Sequence, residues 1–82
     1  MTRLVHRPII VTETMPDTGA PAVFIDRGHK HVVKTVLDRW IESGKWWEGE
    51  RYRTVYRVMT DTLAIYELEL QGGKWTLYRV YD

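Results

Sequence analysis

The chain has 82 residues, a length that fits one domain with one hydrophobic core. Hydrophobic residues make up 44% and charged residues 28% of it, a globular balance that argues against wholesale disorder. Twelve Lys and Arg against eleven Asp and Glu leave a formal net charge of +1, so binding to nucleic acid would need a local basic patch. The absence of cysteine excludes disulfides, thiolate nucleophiles and cysteine-ligated metal sites.

Hydropathy gives no sign of a membrane or an export signal. The apolar runs are far shorter than the roughly 20 residues that a transmembrane helix needs. The first eight residues lack the apolar stretch of a signal peptide. We therefore expect a cytoplasmic protein that does not contact a membrane.

The types of hydrophobic residue favour β-structure. Val, Ile and Thr together account for 23 residues, and the ten aromatic residues are four Trp, five Tyr and one Phe. β-Branched and aromatic side chains suit a pleated, half-buried surface better than a helix. A core rich in Trp and Tyr is also the simplest way for so small a domain to bury enough area.

The N-terminal half predicts two strands and a turn. Residues 3–13 are rich in Val and Ile and predict a first strand. Residues 14–21 hold two prolines and one glycine and predict a loop. Residues 22–25 predict a short second strand, and the Asp-Arg-Gly-His sequence at 26–29 is typical of a tight turn.

Residues 30–43 are compatible with a strand or a helix. Several apolar residues recur there at helical spacing, and Gly44 stands where a helix C-cap would stand. Against a helix, four of the six residues 31–36 are β-branched and no strong N-cap precedes them. We favour a strand over 30–37 with a bend near 38–39, and a helix over 31–43 is the alternative.

The C-terminal half predicts a connection followed by three strands. Residues 45–50, Lys-Trp-Trp-Glu-Gly-Glu, form the connection. Apolar and polar residues then alternate with period two in 51–60, 62–70 and 74–81. In the last of these strands, Trp75, Leu77, Arg79 and Tyr81 are predicted to share one face.

The turns between these strands predict the register. A turn centred on Asp61 keeps the apolar face intact, and a shift by one residue would mix the two faces. Gly72-Gly73 is typical of a two-residue hairpin. The first turn predicts that Tyr56 pairs with Tyr66, Thr54 with Leu68 and Arg53 with Glu69, while Arg57 lies diagonal to Glu67. The second predicts that Leu70 pairs with Trp75, Leu68 with Leu77 and Glu67 with Tyr78.

These elements predict a mainly β fold. We expect a single domain over residues 1–82, built as a small twisted antiparallel sheet or a partly open barrel. It would have five to six strands and at most one short helix. Curling of the sheet is expected because a flat sheet of this size would leave its edges and its apolar face open to water.

Two segments resemble a known family. One is the run Trp-Ile-Glu-Ser-Gly-Lys-Trp-Trp-Glu at 40–48, and the other is the ending Trp-Thr-Leu-Tyr-Arg-Val-Tyr-Asp at 75–82. Over residues 21–82 the chain resembles a small bacterial domain found at the C-terminal end of ImuB-type proteins, and also free-standing. ImuB-type proteins are inactive relatives of Y-family DNA polymerases. The resemblance implies a link to damage-tolerance replication and supplies no catalytic residues.

One close histidine pair is a weak candidate for a metal site. His29 and His31 are two residues apart, so on a strand their imidazoles would face the same way. A third ligand would have to come from His6, Asp26 or Asp38. The alternative is a solvated turn and strand edge, which we favour.

Acid–base catalysis has equally weak candidates. Glu48 with Glu50, or Asp38 with His31, would need a concave, water-poor site that shifts their pKa values. The chain has no Gly-rich phosphate loop and no Ser-His-Asp pattern. We predict no cofactor and no enzymatic activity. A small metal-dependent or acid–base enzyme centred on His29 and His31 is the alternative function.

The best functional candidate is a basic and aromatic surface. Arginine contacts phosphates and aromatic rings stack on bases, and the same residue types dominate protein–protein hot spots. The opposing view is that Glu67 and Glu69 neutralise the arginines as cross-strand ion pairs. The candidate binding residues are Trp46, Trp47, Arg51, Arg53, Arg57, Tyr78 and Arg79.

These observations predict a non-enzymatic binding or adaptor module. We expect it to act by contact with a protein partner, with single-stranded nucleic acid as a second ligand. Nothing in the chain selects an oligomeric state.

Overall fold

A single antiparallel sheet contains all the strands of the domain. The computed structural model describes residues 2–44, 46–49 and 51–81, with Trp46 described by its backbone alone. A 3₁₀ turn at Trp46–Glu48 lies between the fourth and fifth strands. The seven strands of this described part are β1 (Thr2–Pro8), β2 (Ile10–Thr14), β3 (Pro21–Asp26), β4 (His29–Glu42), β5 (Arg53–Thr60), β6 (Ile65–Gln71) and β7 (Lys74–Tyr81).

The prediction of a mainly β, antiparallel fold is confirmed, but the number of strands is seven and not five or six. The difference arises at Ile9, where the predicted strand over 3–13 divides into β1 and β2. None of the helices in the described residues is long and apolar enough to cross a membrane.

The sheet curls into a half-barrel because of how its two ends are connected. The strand order is β1-β7-β6-β5-β4-β3-β2, so β1 and β2 are the two edge strands. They are nevertheless separated in the chain by Ile9 alone, whose N–H donates to the Trp75 carbonyl at 3.2 Å. The two edges of the sheet must therefore come close together. An ion pair of 2.6 Å links Arg7 on the edge strand β1 to Asp26 on β3, the strand next to the other edge.

Strand β4 links the two halves of the sheet. Its first residues pair with β3, up to Val32, and the stretch from Val33 onward pairs with β5. The strand prediction for this segment is therefore confirmed, and the alternative helix over 31–43 is wrong. Irregular register between Val33 and Thr35, and again between Val36 and Asp38, bends the strand close to the predicted position.

Two tight hairpins confirm the turn chemistry of the sequence. Arg27 and Gly28 have φ values of 53° and 80° and join β3 to β4. Gly72 and Gly73 have φ values of 57° and 80° and join β6 to β7. Positive φ at both central residues is the geometry that matches the twist of the flanking strands.

The hydrophobic core lies on the concave side of the half-barrel. Phe24, Leu68 and Leu77 are fully buried, and the Tyr56 and Trp75 rings pack 5.6 Å apart. Residues from β3 to β7 all contribute, together with Ile9 at the junction of the edges. The buried members of this cluster are Ile9, Ala20, Phe24, Val33, Tyr56, Val58, Leu68 and Leu77.

The β5–β6 register differs from the prediction by two residues. Tyr56 lies opposite Leu68, whereas Tyr66 was predicted as its partner. Arg57 lies directly opposite Glu67, whereas a diagonal position was predicted. Thr54 lies opposite Leu70 rather than Leu68. A shift of two preserves which face each side chain occupies. The apolar face is therefore as predicted, while each pairing partner is not.

The β6–β7 register is regular near the turn and interrupted beyond it. Leu70 pairs with Trp75 and Leu68 with Leu77, as predicted. Glu67 then pairs with Arg79 and not with Tyr78, because the register shifts between Glu67 and Leu68. Tyr78 is the extra residue of this bulge. The predicted face assignment is therefore wrong beyond Leu77, and Val80 instead packs against the core.

Candidate functional site

The convex side of the sheet carries a layer of charged and aromatic side chains. Arginine, glutamate and aromatic residues from β4, β5, β6 and β7 meet there. Val55 and Glu67 are fully buried beneath them although no second layer of secondary structure covers this side in the described residues. We call this set the outer layer: Trp40, Glu42, Arg53, Arg57, Glu67, Glu69, Tyr78, Arg79 and Tyr81.

Glu67 is the centre of the outer layer. Arg57 Nη2 lies 3.3 Å from its Oε2, and Arg79 Nη1 lies 3.8 Å from its Oε1. The Tyr81 hydroxyl donates a hydrogen bond to Oε2. Burial is the largest single influence on Arg57 and opposes its ionisation, but the hydrogen bonds and charges of Glu67 and Tyr81 together outweigh burial and leave the pKa of Arg57 raised. One buried carboxylate thus holds three side chains from β5 and β7.

Glu42 and Arg53 form a second ion pair next to it. Arg53 donates from Nε and Nη2 to Glu42 Oε2 at 3.0 and 2.7 Å, and Trp40 Nε1 donates to Oε1 at 2.9 Å. The bonds from Trp40 and then Arg53 lower the pKa of Glu42, and the bond to Glu42 raises the pKa of Arg53. Arg53 Nη1 also lies 3.6 Å from Glu69 Oε2.

Aromatic rings hold the same guanidinium groups from their other sides. The Arg57 guanidinium carbon lies 5.2 Å from the Trp40 ring centre and 5.4 Å from that of Tyr81. Arg53 and Arg79 both stack on Tyr78, at 5.4 and 5.0 Å. Three arginines face three glutamates in this layer. Ion pairing with glutamates was the expected alternative to a nucleic-acid surface. Arg53, Arg57 and Arg79 adopt this ion pairing.

An open cleft of about 620 Å³ lies beside the outer layer. Arg51, Lys74 and His6 supply basic groups to its wall, and the Gln71 side chain donates to the Arg51 carbonyl at 3.0 Å. Glu69, only 5% exposed, is the one acidic lining residue in the described part of the chain. Its lining residues are His6, Gly49, Arg51, Arg53, Glu69, Gln71, Gly72 and Lys74.

His6 reaches the cleft through an irregularity that sequence reasoning missed. The β1–β7 register shifts between Leu4 and Arg7, and His6 has a φ of 55°, in the left-handed region. Its ring meets Tyr78 edge-on at 6.0 Å. The bulge of β1 thus lies beside the bulge of β7 at Tyr78. Bulges of this kind re-aim side chains and leave no periodic signal in a sequence.

The aromatic candidates of the connecting segment are only partly described. Trp47 is 66% exposed, and the side chain of Trp46 lies outside the described residues. Tyr52, which was not among the predicted residues, is 73% exposed and follows Arg51.

Of the two histidines, only His31 packs against the fold. The His31 ring stacks on Phe24 at 4.9 Å and meets Tyr66 at 5.3 Å, while His29 is exposed beside the hairpin. Two of the proposed third ligands are engaged elsewhere. Asp26 accepts two hydrogen bonds from Arg7, and Asp38 accepts one from the backbone N–H of Arg39.

No group of three potential ligands suited to a metal ion occurs within residues 2–44, 46–49 and 51–81. Of the proposed acid–base pair in the connecting segment, Glu48 is exposed and Glu50 lies outside the described residues.

Comparison with known proteins gives one match. No curated protein and no solved structure matches the chain. The profile of a domain of unknown function, DUF6504, matches residues 1–82, and so includes the first 20 residues that the ImuB resemblance left out. This match carries no link to ImuB-type proteins. Since it covers the whole chain, the protein belongs to the DUF6504 family.

Proposed function

We propose that this protein is a non-enzymatic binding module that docks onto a protein partner. The observation that carries the proposal is the exposure of two large aromatic side chains, Trp47 and Tyr52, on either side of the cleft residues Gly49 and Arg51 in the chain. Trp, Tyr and Arg are the residues that supply most of the binding energy at protein interfaces. Arg53 lines the same cleft and belongs to the outer layer, whose ion pairs offer a rigid support.

Rigidity of the support matters because ordering side chains on binding costs free energy. Arg53 is fixed by Glu42 and by the Tyr78 ring before any partner arrives. We therefore assign the arginines of the outer layer a supporting role. The contacts themselves fall to the exposed side chains, principally Trp47, Arg51 and Tyr52.

The biological setting is part of the same proposal. The resemblance of residues 40–48 and 75–82 to the C-terminal domain of ImuB-type proteins suggests a partner in damage-tolerance replication. The proposed partner is thus a protein of that machinery, bound through an aromatic and basic surface.

A capture experiment with identified partners tests the proposal. The wild-type domain and the double variant Trp47→Ala/Tyr52→Ala would be immobilised, and retained proteins identified by mass spectrometry. Any captured replication or repair protein would then be purified and titrated. We expect the double variant to weaken its binding at least tenfold, since truncating hot-spot residues typically costs 2 kcal/mol or more.

The matched control is Ile10→Ala/Leu4→Ala, which removes two side chains of 64% and 65% exposure on β2 and β1. This control should bind as the wild type does. In urea denaturation, the free energy of unfolding of both double variants should stay within about 0.5 kcal/mol of the wild-type value, because the changed side chains are on the surface. Equal binding by wild type and the Trp47/Tyr52 variant, or enrichment of no replication or repair protein, would contradict the proposal.

A further inference from the structure

The cations of the cleft differ from those of the outer layer in their partners. Arg53 is paired with Glu42 and Glu69. For Arg51 and Lys74, in contrast, no carboxylate lies within ion-pair distance among the described residues, and both side chains are exposed. Within residues 2–44, 46–49 and 51–81, the cleft therefore holds two positive charges that no carboxylate compensates.

The backbone around these cations is fixed. Arg51 is anchored through its carbonyl by the Gln71 side chain, and Lys74 directly follows the Gly72-Gly73 hairpin turn. His6 adds a third nitrogen donor to the lining, on the bulge of β1 and against the edge of the Tyr78 ring. Donors from three segments therefore line one concave space.

We propose that this cleft is a binding site for phosphate groups, as carried by a nucleotide or a single strand of nucleic acid. Arginine and lysine are the usual partners of phosphate oxygens, Arg as a planar fork and Lys as a point charge. An open cleft suits a phosphate whose remaining substituents continue into solvent. The site needs no protein partner, and failure of the docking experiment with Trp47 and Tyr52 would leave it untouched.

Glu69 does not compensate the two cations of the cleft. It is 5% exposed, and its Oε2 lies 3.6 Å from Arg53 Nη1. A phosphate group offers the cations three acceptor oxygens and up to two negative charges, against two oxygens and one charge for a carboxylate. A nucleotide is therefore favoured over an acidic peptide.

Fluorescence anisotropy with a labelled 15-mer of thymidine at 50 to 200 mM salt tests the site, with unlabelled dTMP, inorganic phosphate and polyglutamate as competitors. The variant is Arg51→Ala/Lys74→Ala. The matched control, Lys30→Ala/Lys34→Ala, removes the same charge from exposed positions of β4. We expect the variant to bind roughly tenfold more weakly and its salt slope to fall by about 1.4, which corresponds to two lost phosphate contacts. The control should match the wild type.

The competitors identify the source of the phosphate. Displacement by dTMP at concentrations near those of the 15-mer indicates a free nucleotide, and resistance to dTMP indicates a strand. Three outcomes would overturn the inference: no binding of the 15-mer at 50 mM salt, an equal loss in the Lys30/Lys34 control, or displacement by polyglutamate as effective as by the unlabelled 15-mer.

Discussion

The two faces of the sheet bury side chains by different means, and neighbouring residues of β6 show the contrast. Leu68 and Glu67 are both fully buried. Leu68 lies in the concave core among apolar residues, where burial itself is favourable. Glu67 lies on the convex face, where burial of a charge is unfavourable unless partners compensate it. Arg57, Arg79 and Tyr81 supply that compensation.

The comparison of the two faces shows how so small a domain shields both sides of one sheet from water. The concave side is closed by curling, which brings β3 over the core. The convex side has no second layer in the described residues, so long side chains lie along it and cover it with their own stems and rings. Arg57, for example, lies against Trp40 and Tyr81. Its charge then needs a carboxylate within the sheet.

Truncation on the concave face should have the largest effect. Leu68→Ala removes a fully buried side chain from a closed core, and we expect the free energy of unfolding to fall by about 3 to 4 kcal/mol. Urea denaturation followed by circular dichroism measures it. Leu63→Ala, at a position 66% exposed, is the control and should change little. A loss below about 1 kcal/mol for Leu68→Ala would mean that the core is not closed as described.

Removal of the cations on the convex face should come next. Arg57→Met/Arg79→Met keeps the apolar stems but leaves the Glu67 charge buried with Tyr81 as its remaining partner. We expect a loss of about 3 kcal/mol, at the lower end for a broken buried ion pair because both arginines are more than a third exposed. Lys30→Met/Lys34→Met is the control. Equal stability of the two variants would show that the convex face does not depend on its charges.

The ion pair between Arg7 on β1 and Asp26 on β3 should give the smallest effect on stability, one that depends on pH. The bond from Arg7 lowers the pKa of Asp26, so the folded state favours its ionised form. This stability is fully present above the unfolded pKa of about 3.9 and is lost as the pH falls through the lowered folded value. Asp26→Asn should therefore cost about 1 kcal/mol at pH 7 and progressively less below pH 4.

Urea denaturation at pH 7, 4 and 2.5 measures this dependence, with Asp61→Asn in the exposed β5–β6 turn as the control. If the difference in the free energy of unfolding between wild type and Asp26→Asn stays constant over this range, the charge of Asp26 is not what links β1 to β3.

The alternation of side chains predicted the faces of β5 and β6 but not the pairing between these two strands. Period-two patterning places Tyr56 and Leu68 on one face whichever even register is chosen, so it cannot separate registers that differ by two. The turn decides between them. In this turn, the Thr60 N–H donates to the Ala64 carbonyl at 2.9 Å and Leu63 adopts a φ of 67°. The local composition predicts neither feature.

The candidate site was predicted in part for the same reason. Arg53 and Arg57 could be placed on the same face as Glu67 and Glu69 because parity determines the face of each residue. Arg79 could not, because the bulge at Tyr78 turns it to the face opposite the one its spacing predicts. The cleft could not be predicted either. His6 contributes to it only because β1 pairs with β7, and these strands lie at opposite ends of the sequence.

The pairing of β1 with β7 also bears on how the molecule folds. Strands β5 to β7 connect through short turns, so their meander closes only small loops. The N-terminal strand, in contrast, must find a partner at the other end of the chain, which carries the greatest entropic penalty of loop closure in the domain. Sheets dominated by such distant contacts fold slowly. We therefore expect the meander to form early in refolding and the N-terminal strand to dock last.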